Sequence, residues 1–442
     1  MPQPMYLDTE QLYAYYQQHP RLCTDTRRLQ VGDLFLALRG PNFDANAFAS
    51  QALAAGAAYV IVDDPLLATT GQHLLVQDGL RALQALAAHH RRQWGRWVIG
   101  LTGSNGKTTT KELLASILAE QLPLLATPGN WNNHIGLPLT LLQLTPAHQL
   151  ALLEMGDNKT GDIAELCQIA DPDWALITNI GEDHLQGYAQ GMAGNAATKR
   201  ELFDYVAQKG GRLFINLDDP WLAPAARLAD TTYGQAGQYR ISQLGQDAAG
   251  QQLLLEYPEG QLPLQTVLPG NHNAENVLLA ATVALELGVP PTAIQSGVAC
   301  YHPHNNRSQW KNLKGKQVLL DAYNANPTSM RAALDTFLTL AQGASLLVLG
   351  DMLELGPEEA AAHSRLGQWL ATRLAQHQHP VQLLLVGPAM AQLLPYLPGA
   401  AAYPDASAAR QAFIDLWAEA EAVFLKGSRG LALERLIAHV DN

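Results

Sequence analysis

The stretch Trp97-Val98-Ile99-Gly100-Leu101-Thr102-Gly103-Ser104-Asn105-Gly106-Lys107-Thr108-Thr109-Thr110 constrains this chain more than any other. Its first half is apolar and reads as a buried strand. Beyond it, Leu113, Leu114, Ile117 and Leu118 form a helical stripe within residues 111–122. Between strand and helix, Gly103 and Gly106 allow a tight turn whose N–H groups converge on one point, where a helix N-terminus also faces. Ser104, Asn105 and Thr109 complete the loop, Lys107 adds a point charge for outer phosphates, and Thr108 adds a hydroxyl for a metal. The general phosphate-loop pattern asks for a glycine five positions before the second glycine. Leu101 stands there, so only the shorter Gly-x-x-Gly-Lys-Thr remains. The strand before it and the helix after it favour a nucleotide cradle over a glycine turn with a solvated lysine.

A chain of 442 residues, 48% of them apolar, has ample core and suggests two to four domains. Its net charge of −12 argues against nucleic acid and anionic membrane as partners. Cys23, Cys167 and Cys300 are too scattered for a disulfide framework or a metal knot. No basic-then-apolar leader opens the chain, and no apolar run is long enough to span a bilayer. A cytoplasmic enzyme without membrane insertion is expected.

Residues 1–83 read as a small α/β unit, with strands at 33–38 and 58–62 and a helix at 47–55. Its polar stretches are Asp25-Thr26-Arg27 and the turn Arg39-Gly40-Pro41-Asn42-Phe43-Asp44. An arginine beside hydroxyls and an aromatic suits a pyrophosphate and a base, or is simply a surface turn. Residues 84–309 carry the phosphate loop and alternate apolar strands at 151–155, 174–179 and 212–216 with helices. That alternation predicts a parallel sheet covered on both faces, with ligands beyond the carboxyl ends of its strands. Glu154 ends one such strand and His184 follows another, so both are candidate magnesium ligands. Imidazole is an unusual ligand for magnesium, and a lone histidine is more often structural.

A hairpin is expected over 251–268, followed by a helix over 277–287. Asn273 and Asn276 share a helical face ahead of it; their amides suit an adenine edge, or they cap the helix. Residues 310–442 again read as a doubly wound unit, with strands at 317–321, 345–350, 381–386 and 422–425. The fold class expected is thus α/β in three domains, divided near residues 83 and 309.

These strings resemble the Mur ligases over essentially the whole chain. The telling pieces are Thr102 to Thr110, Thr127-Pro128-Gly129-Asn130-Trp131-Asn132-Asn133-His134-Ile135-Gly136, and Asp321 to Pro327 with Ser329-Met330. Leu349 to Gly356 and Lys426 to Gly430 are also specific. Relatives that form the tripeptide carry a different string at the Asp321 site, which favours the dipeptide-adding branch.

The resemblance implies a small UDP-substrate-binding domain, a central ATP-binding domain and a C-terminal Rossmann-like domain. It also implies ATP-dependent amide synthesis through an acyl phosphate, with Mg2+ as the metal. UDP-N-acetylmuramoyl-tripeptide and D-alanyl-D-alanine are the implied partners, and a monomer is expected. Lys107 and Thr108 match the family's phosphate and magnesium positions, and Glu154 and His184 its metal positions. Lys199 matches the lysine that is carbamylated in relatives for a second magnesium. Asn273 and Asn276 match adenine-side positions, Arg307 a phosphate contact and Asp321 a ribose-side contact. Thr26, Arg27, Asn42, Phe43 and Asp44 resemble the uridine-nucleotide site, although Asn46 stands where relatives often carry histidine. Asn130 and Asn133 resemble the substrate loop, while Asn324, Asn326, Asp351 and Arg429 are candidates for the dipeptide end. Another ligase of the superfamily (diaminopimelate- or lysine-adding, or folylpolyglutamate synthase), a nucleotide-binding scaffold and a simple kinase are the alternatives.

Overall fold

Strands whose residues are apolar on both faces need cover on both sides, and among the described residues they assemble into three largely parallel sheets. The structure is a computed structural model and describes residues 5–441. The first sheet is parallel throughout, in the order Leu22–Cys23, Leu34–Leu36, Tyr59–Val62, His73–Leu75. The helix Gly79–Trp94 leaves it with Asp78 as N-cap and Gly95, left-handed, as C-cap. This helix crosses residue 83. Its Leu83, Leu86 and Ala87 lie in one apolar cluster with Leu34 and Ile61 of the first sheet and with Leu137 and Ile163 of the middle unit.

The second sheet is also parallel, in the order Thr231–Tyr233, Arg212–Asn216, Trp174–Ile177, Trp97–Thr102, Leu150–Glu154, Leu124–Ala126. Trp97–Thr102 therefore lies at the centre, flanked by the strand that ends at Glu154 and the one that leads toward His184. One face is covered by Lys107–Leu118 and Asn271–Glu286, through Leu113, Leu114, Ile117 and Val277. The other face is covered by Gly79–Trp94, Asp162–Ala170 and Met192–Gln208.

Both of the latter sheet's cover helices that follow ligand loops start earlier than their apolar stripes suggest. The first begins at Lys107 rather than 111 and ends at Leu118, five residues before Pro123. The second begins at Asn271 rather than 277, which puts Asn273 and Asn276 inside its first two turns.

The hairpin at 251–268 is present as Gly250–Tyr257 and Gly260–Thr266, but it is joined by a further strand, Arg240–Asp247. That strand is polar and interrupted by a register shift between Gln243 and Gly245, so its alternation is masked in the sequence. The third sheet runs Gln309–Leu313, Lys316–Asp321, Ala422–Lys426, Ser345–Gly350, Val381–Val386, Ala401–Tyr403. Only Gln309–Leu313 pairs antiparallel; it is an edge strand too polar to stand out in the sequence, and the other edge strand, Ala401–Tyr403, is too short. Among the described residues no helix is long and apolar enough to cross a membrane.

Candidate active site

The phosphate loop leaves the central strand through two backbone positions that exclude side chains. Gly103 has φ +138°, and a Cβ there would come within 2.0 Å of Thr178 Oγ1. Gly106 has φ +80°, and a Cβ there would meet Asn276 Oδ1 at 2.1 Å. Each glycine thus fits both a left-handed turn and a close neighbour. As N-cap of Lys107–Leu118, Gly106 offers no side chain to the first-turn N–H groups, which leaves them for an anion. The loop is braced from the next strand: Asn105 N donates to Asn179 Oδ1 at 3.0 Å, and Thr178 Oγ1 donates to Asn105 O at 2.6 Å. Lys107 Nζ folds back to donate to the carbonyls of Gly103 and Ser104. Burial lowers its proton affinity, against the pull of the Asp183, Asp157 and Glu154 carboxylates.

This loop forms the floor of a cavity of about 700 Å³. Ser104 to Thr109, Asn130, Asn133, Glu154 and His184 line it from the middle unit, with Asn273 and Asn276 beside the loop. Arg307, Asp321 and Asn324 line it from the other side. Asn273 and Asn276 are not helix caps. Asn273 Nδ2 donates to Pro269 O at 2.8 Å, and Asn276 Oδ1 accepts from Thr110 Oγ1 at 3.2 Å, which ties their helix to the phosphate-loop helix.

Behind the loop lies a dense set of charges. Glu154 Oε1 accepts from Thr108 Oγ1 at 3.3 Å and from Asn132 Nδ2 at 2.8 Å. Glu154 Oε2 faces Lys111 Nζ at 3.6 Å. Lys111 is fully buried and donates to the carbonyls of Thr127 and Gly129 at 2.8 and 2.9 Å, so it ties the start of the substrate loop to the phosphate-loop helix. Lys199 is also buried and does not reach the cavity wall. Its ammonium sits 2.9 Å from Asp157, 2.7 Å from Asn195 Oδ1 and 3.4 Å from Asp183. Burial alone would raise the Asp183 carboxyl, but Lys199 and Lys107 together with hydrogen bonds from Ser104 and Asn195 outweigh it and hold it at about 2.

A divalent cation fits this set. Glu154 Oε2, Asp157 Oδ1 and Asp183 Oδ2 are buried carboxylate oxygens that accept no hydrogen bond, the first and last facing only the Lys111 and Lys199 ammoniums at 3.6 and 3.4 Å, so each keeps lone pairs for a hard cation. Among the described residues no three acidic, histidine or cysteine side chains converge into a ready-made cage. That agrees with magnesium, which takes few protein ligands and completes its shell with phosphate and water. His184 stands at the edge of this set with its Nδ1 2.7 Å from Glu354 Oε2.

The opposite wall comes from the third sheet. The Arg307 guanidinium stacks 3.8 Å from the centre of the Tyr323 ring, which fixes its plane. Asp321 accepts from Ser308 N at 3.0 Å and pairs with the Lys426 ammonium, which also donates to Asn324 O at 3.0 Å. His272 stands near this pair. Burial lowers its proton affinity to about 4, with Asp321 pulling up and Lys426 down, so its ring is neutral at pH 7.

Several expected site residues are not on this cavity. Asp351 ends a strand, but it is buried and its carboxylate accepts from Met390 N at 2.7 Å and Ala389 N at 3.3 Å. Here it caps the neighbouring turn and does not line the cavity. Arg429 is exposed and pairs with Glu434, away from the cavity lining. Asn326 caps the helix Pro327–Leu340 through Ser329 and donates its amide to Asn105 Oδ1 at 2.8 Å. Gly103 serves the loop's shape behind the lining. Thr26, Arg27, Asn42, Phe43 and Asp44 lie in the first unit, off the cavity. There Arg27 pairs with its neighbour Asp25, and Phe43 is 58% exposed. Asp44 accepts from Asn46 N at 2.9 Å, and these bonds with Asn46 hold its carboxyl below the usual range. Asn46 itself is buried and donates to both Asp44 and Asp63 at 2.8 Å, a structural use of the position.

Lys111, Asp157, Asp183 and Lys426 are the residues at or behind the cavity that sequence reasoning did not single out. Asp157 and Asp183 sit a few residues beyond strand ends that were already of interest, and that position was the available signal. Lys111 gave none, because a lysine one turn into a helix normally faces water.

Comparison with known proteins bears on the fold and the family. The profile of the Mur ligase middle domain matches residues 101–284, and that of the Mur ligase glutamate ligase domain matches residues 306–429. The UDP-N-acetylmuramoyl-tripeptide–D-alanyl-D-alanine ligase of Bacillus subtilis is 38% identical over 352 residues, covering 78% of this chain and 76% of that protein. A crystal structure of MurF from Acinetobacter baumannii superposes with a TM-score of 0.89 at 31% identity, over 99% of this chain and 100% of the other. The MurF ligase of Thermotoga maritima in complex with ADP gives 0.84 at 25% identity, over 96% and 97%.

Proposed function

This chain belongs to the Mur ligase family, and from that premise we propose that it joins D-alanyl-D-alanine to UDP-N-acetylmuramoyl-tripeptide at the expense of ATP. The products are the pentapeptide precursor of peptidoglycan, ADP and phosphate. What carries the reading is the convergence on one cavity of the phosphate loop, the buried Glu154 and the strand ends of the third sheet.

The chemistry explains the charges. A peptide carboxylate and a triphosphate, both anions, must meet, so neutralisation and positioning supply most of the rate. Lys107 and the first-turn N–H groups of its helix hold the outer phosphates. Asn273 and Asn276 take the adenine side, Asp321 the ribose and Arg307 a phosphate. Thr108, Glu154 and His184 would hold Mg2+, with the Asp183 and Asp157 carboxylates beside them. Magnesium, when bound, neutralises phosphate charge. The tripeptide carboxylate attacks the γ-phosphorus and ADP departs, leaving an acyl phosphate. The neutral amine of D-alanyl-D-alanine then adds to the acyl carbon, and the tetrahedral adduct expels phosphate with loss of a proton from nitrogen.

An acyl phosphate must be kept from water. The structure has its third unit drawn against the middle one, through Asn326 to Asn105, Glu182 N to Thr328 Oγ1 at 3.4 Å, and Arg365 to Glu182 at 3.5 Å. Asn130 and Asn133 take the tripeptide end and Asn324 the dipeptide, while Asn326, off the cavity, acts through Asn105 of the phosphate loop. Thr26, Arg27 and the turn at Asn42-Phe43-Asp44 take the uridine nucleotide. Lys199 matches the carbamylated lysine of relatives, and bicarbonate dependence of the rate tests it. A cytoplasmic monomer fits these substrates.

Mass spectrometry of the products from UDP-N-acetylmuramoyl-tripeptide, D-alanyl-D-alanine and ATP tests the proposal. Pentapeptide and ADP in equal amounts are expected. Amide formation only with lysine, diaminopimelate or glutamate as the amine, and none with D-alanyl-D-alanine, would refute it, as would a stable phosphorylated product.

A further inference from the structure

Two residues outside glycine with left-handed backbones meet across the boundary between the middle and third units. His184 has φ +48° and Glu354 has φ +68°, a region that ordinary residues enter only at a cost. His184 follows the strand Trp174–Ile177, and Glu354 follows Ser345–Gly350 in the neighbouring sheet. Their side chains meet at 2.7 Å, Nδ1 to Oε2.

The loop that carries Glu354 is fastened from both units. On its own side Met352 N donates to His363 Nε2 at 3.1 Å, and Leu353 N donates to Ser428 Oγ at 3.0 Å. On the far side, a Cβ at Gly356 (φ +57°) would come within 2.8 Å of the Gln186 side chain, so the loop lies directly on the turn Leu185–Gly187 that follows His184. A half-exposed ion pair contributes little stability by itself. Two strained residues held in register by such an arrangement therefore point to function.

We propose that Glu354 is a positioning residue: its carboxylate fixes the His184 ring through Nδ1, presents Nε2 to the cation side of the cavity, and so makes the site complete only when the third unit is in place. The inference rests on the ligase reading above. A histidine that ligates a metal through one nitrogen commonly gives its other N–H to a carboxylate, which sets tautomer and ring angle. Here that carboxylate comes from the unit that supplies the amine-side residues, so the activating chemistry waits for closure.

Glu354→Ala and Glu354→Gln test this against the wild-type chain by Mn2+ titration followed by electron paramagnetic resonance, with a non-hydrolysable ATP analogue and the UDP-sugar tripeptide present. Glu354→Ala is expected to weaken Mn2+ binding and lower kcat by about tenfold or more, with the KM for ATP held within about threefold. Glu354→Gln, whose amide oxygen still accepts from Nδ1–H, recovers part of both. Added to His184→Ala, Glu354→Ala causes little further loss, because the two act as one unit. Unchanged Mn2+ affinity in folded Glu354→Ala overturns the proposal, as does full additivity with His184→Ala. Failure of both Glu354 variants to fold, seen by circular dichroism, also overturns it by making the residue purely structural. A wild-type enzyme that forms no amide would instead refute the ligase reading, while the Mn2+ comparison, made on the resting complex, still judges Glu354.

Discussion

The side-chain amide of Asn326 donates to Asn105 Oδ1 at 2.8 Å, so the N-cap of a helix in the third unit holds a residue of the phosphate loop in the middle one. Two consequences follow from one side chain. Asn326→Ala loses a helix cap, costing about 1 kcal/mol, and loosens the loop. A several-fold rise in the KM for ATP is expected, with a small drop in melting temperature. An unchanged KM would show that the contact has no bearing on nucleotide binding.

Lys107→Ala should fold as the wild type does, since the ammonium contacts only the loop's own carbonyls. Turnover should fall by about 10²–10³-fold or more, the usual cost of removing one preorganised donor from a developing charge. ADP release at saturating substrates measures this, and near-normal turnover would remove the phosphate loop from the mechanism.

Lys111→Met addresses a different role on the same helix. The neutral side chain fits the space but leaves the buried Glu154 charge without its facing ammonium and the carbonyls of Thr127 and Gly129 without their donor. A stability loss of about 3 kcal/mol is expected, seen as a fall in melting temperature. The KM for the UDP-sugar tripeptide should rise more than that for ATP, because the loop carrying Asn130 and Asn133 loses its anchor.

Asp351→Ala separates structure from catalysis. The substitution strips the acceptor from Ala389 N and Met390 N, costing about 1–3 kcal/mol. The KM for D-alanyl-D-alanine should stay as in the wild type. A selective rise in that constant would return Asp351 to the substrate site.

How far the chain can be read without coordinates depended on where each residue's neighbours come from. Strands buried on both faces are continuous apolar runs, so Trp97–Thr102, Leu150–Glu154 and Ser345–Gly350 announce themselves. Edge strands lack one such neighbour; Arg240–Asp247 and Gln309–Leu313 are polar enough to pass as loops. Glu154 was legible because a strand end in a parallel sheet faces the ligand crevice. The same rule does not tell which way a side chain turns: the Asp351 carboxylate points sideways into the next turn. Lys111 was invisible because its burial is made by a loop that returns from residues 127–129, a contact no local pattern encodes.

A pH effect follows from His272. Its folded pKa is about 4 against an ordinary 6.5, because burial disfavours the cation. The unfolded chain therefore binds a proton that the folded one refuses between those values. Stability from this residue is intact above pH 6.5 and is lost as pH falls toward 4, by about 3 kcal/mol at most. Melting temperatures taken from pH 7.5 to 4.5 should fall less steeply in His272→Gln than in the wild type. Parallel curves would exclude His272 as a source of acid sensitivity.

The helix Gly79–Trp94 packs its apolar stripe into the first sheet and the middle unit at once. A rod that two bodies share can serve neither as a hinge nor as a tether. Whatever motion admits the substrates must then be borne by the third unit swinging alone, while the uridine end and the phosphate floor travel as one piece. Grafting a relative's first unit onto this chain would accordingly have to carry the whole rod with it, together with the middle-unit surface that the rod has been shaped to meet.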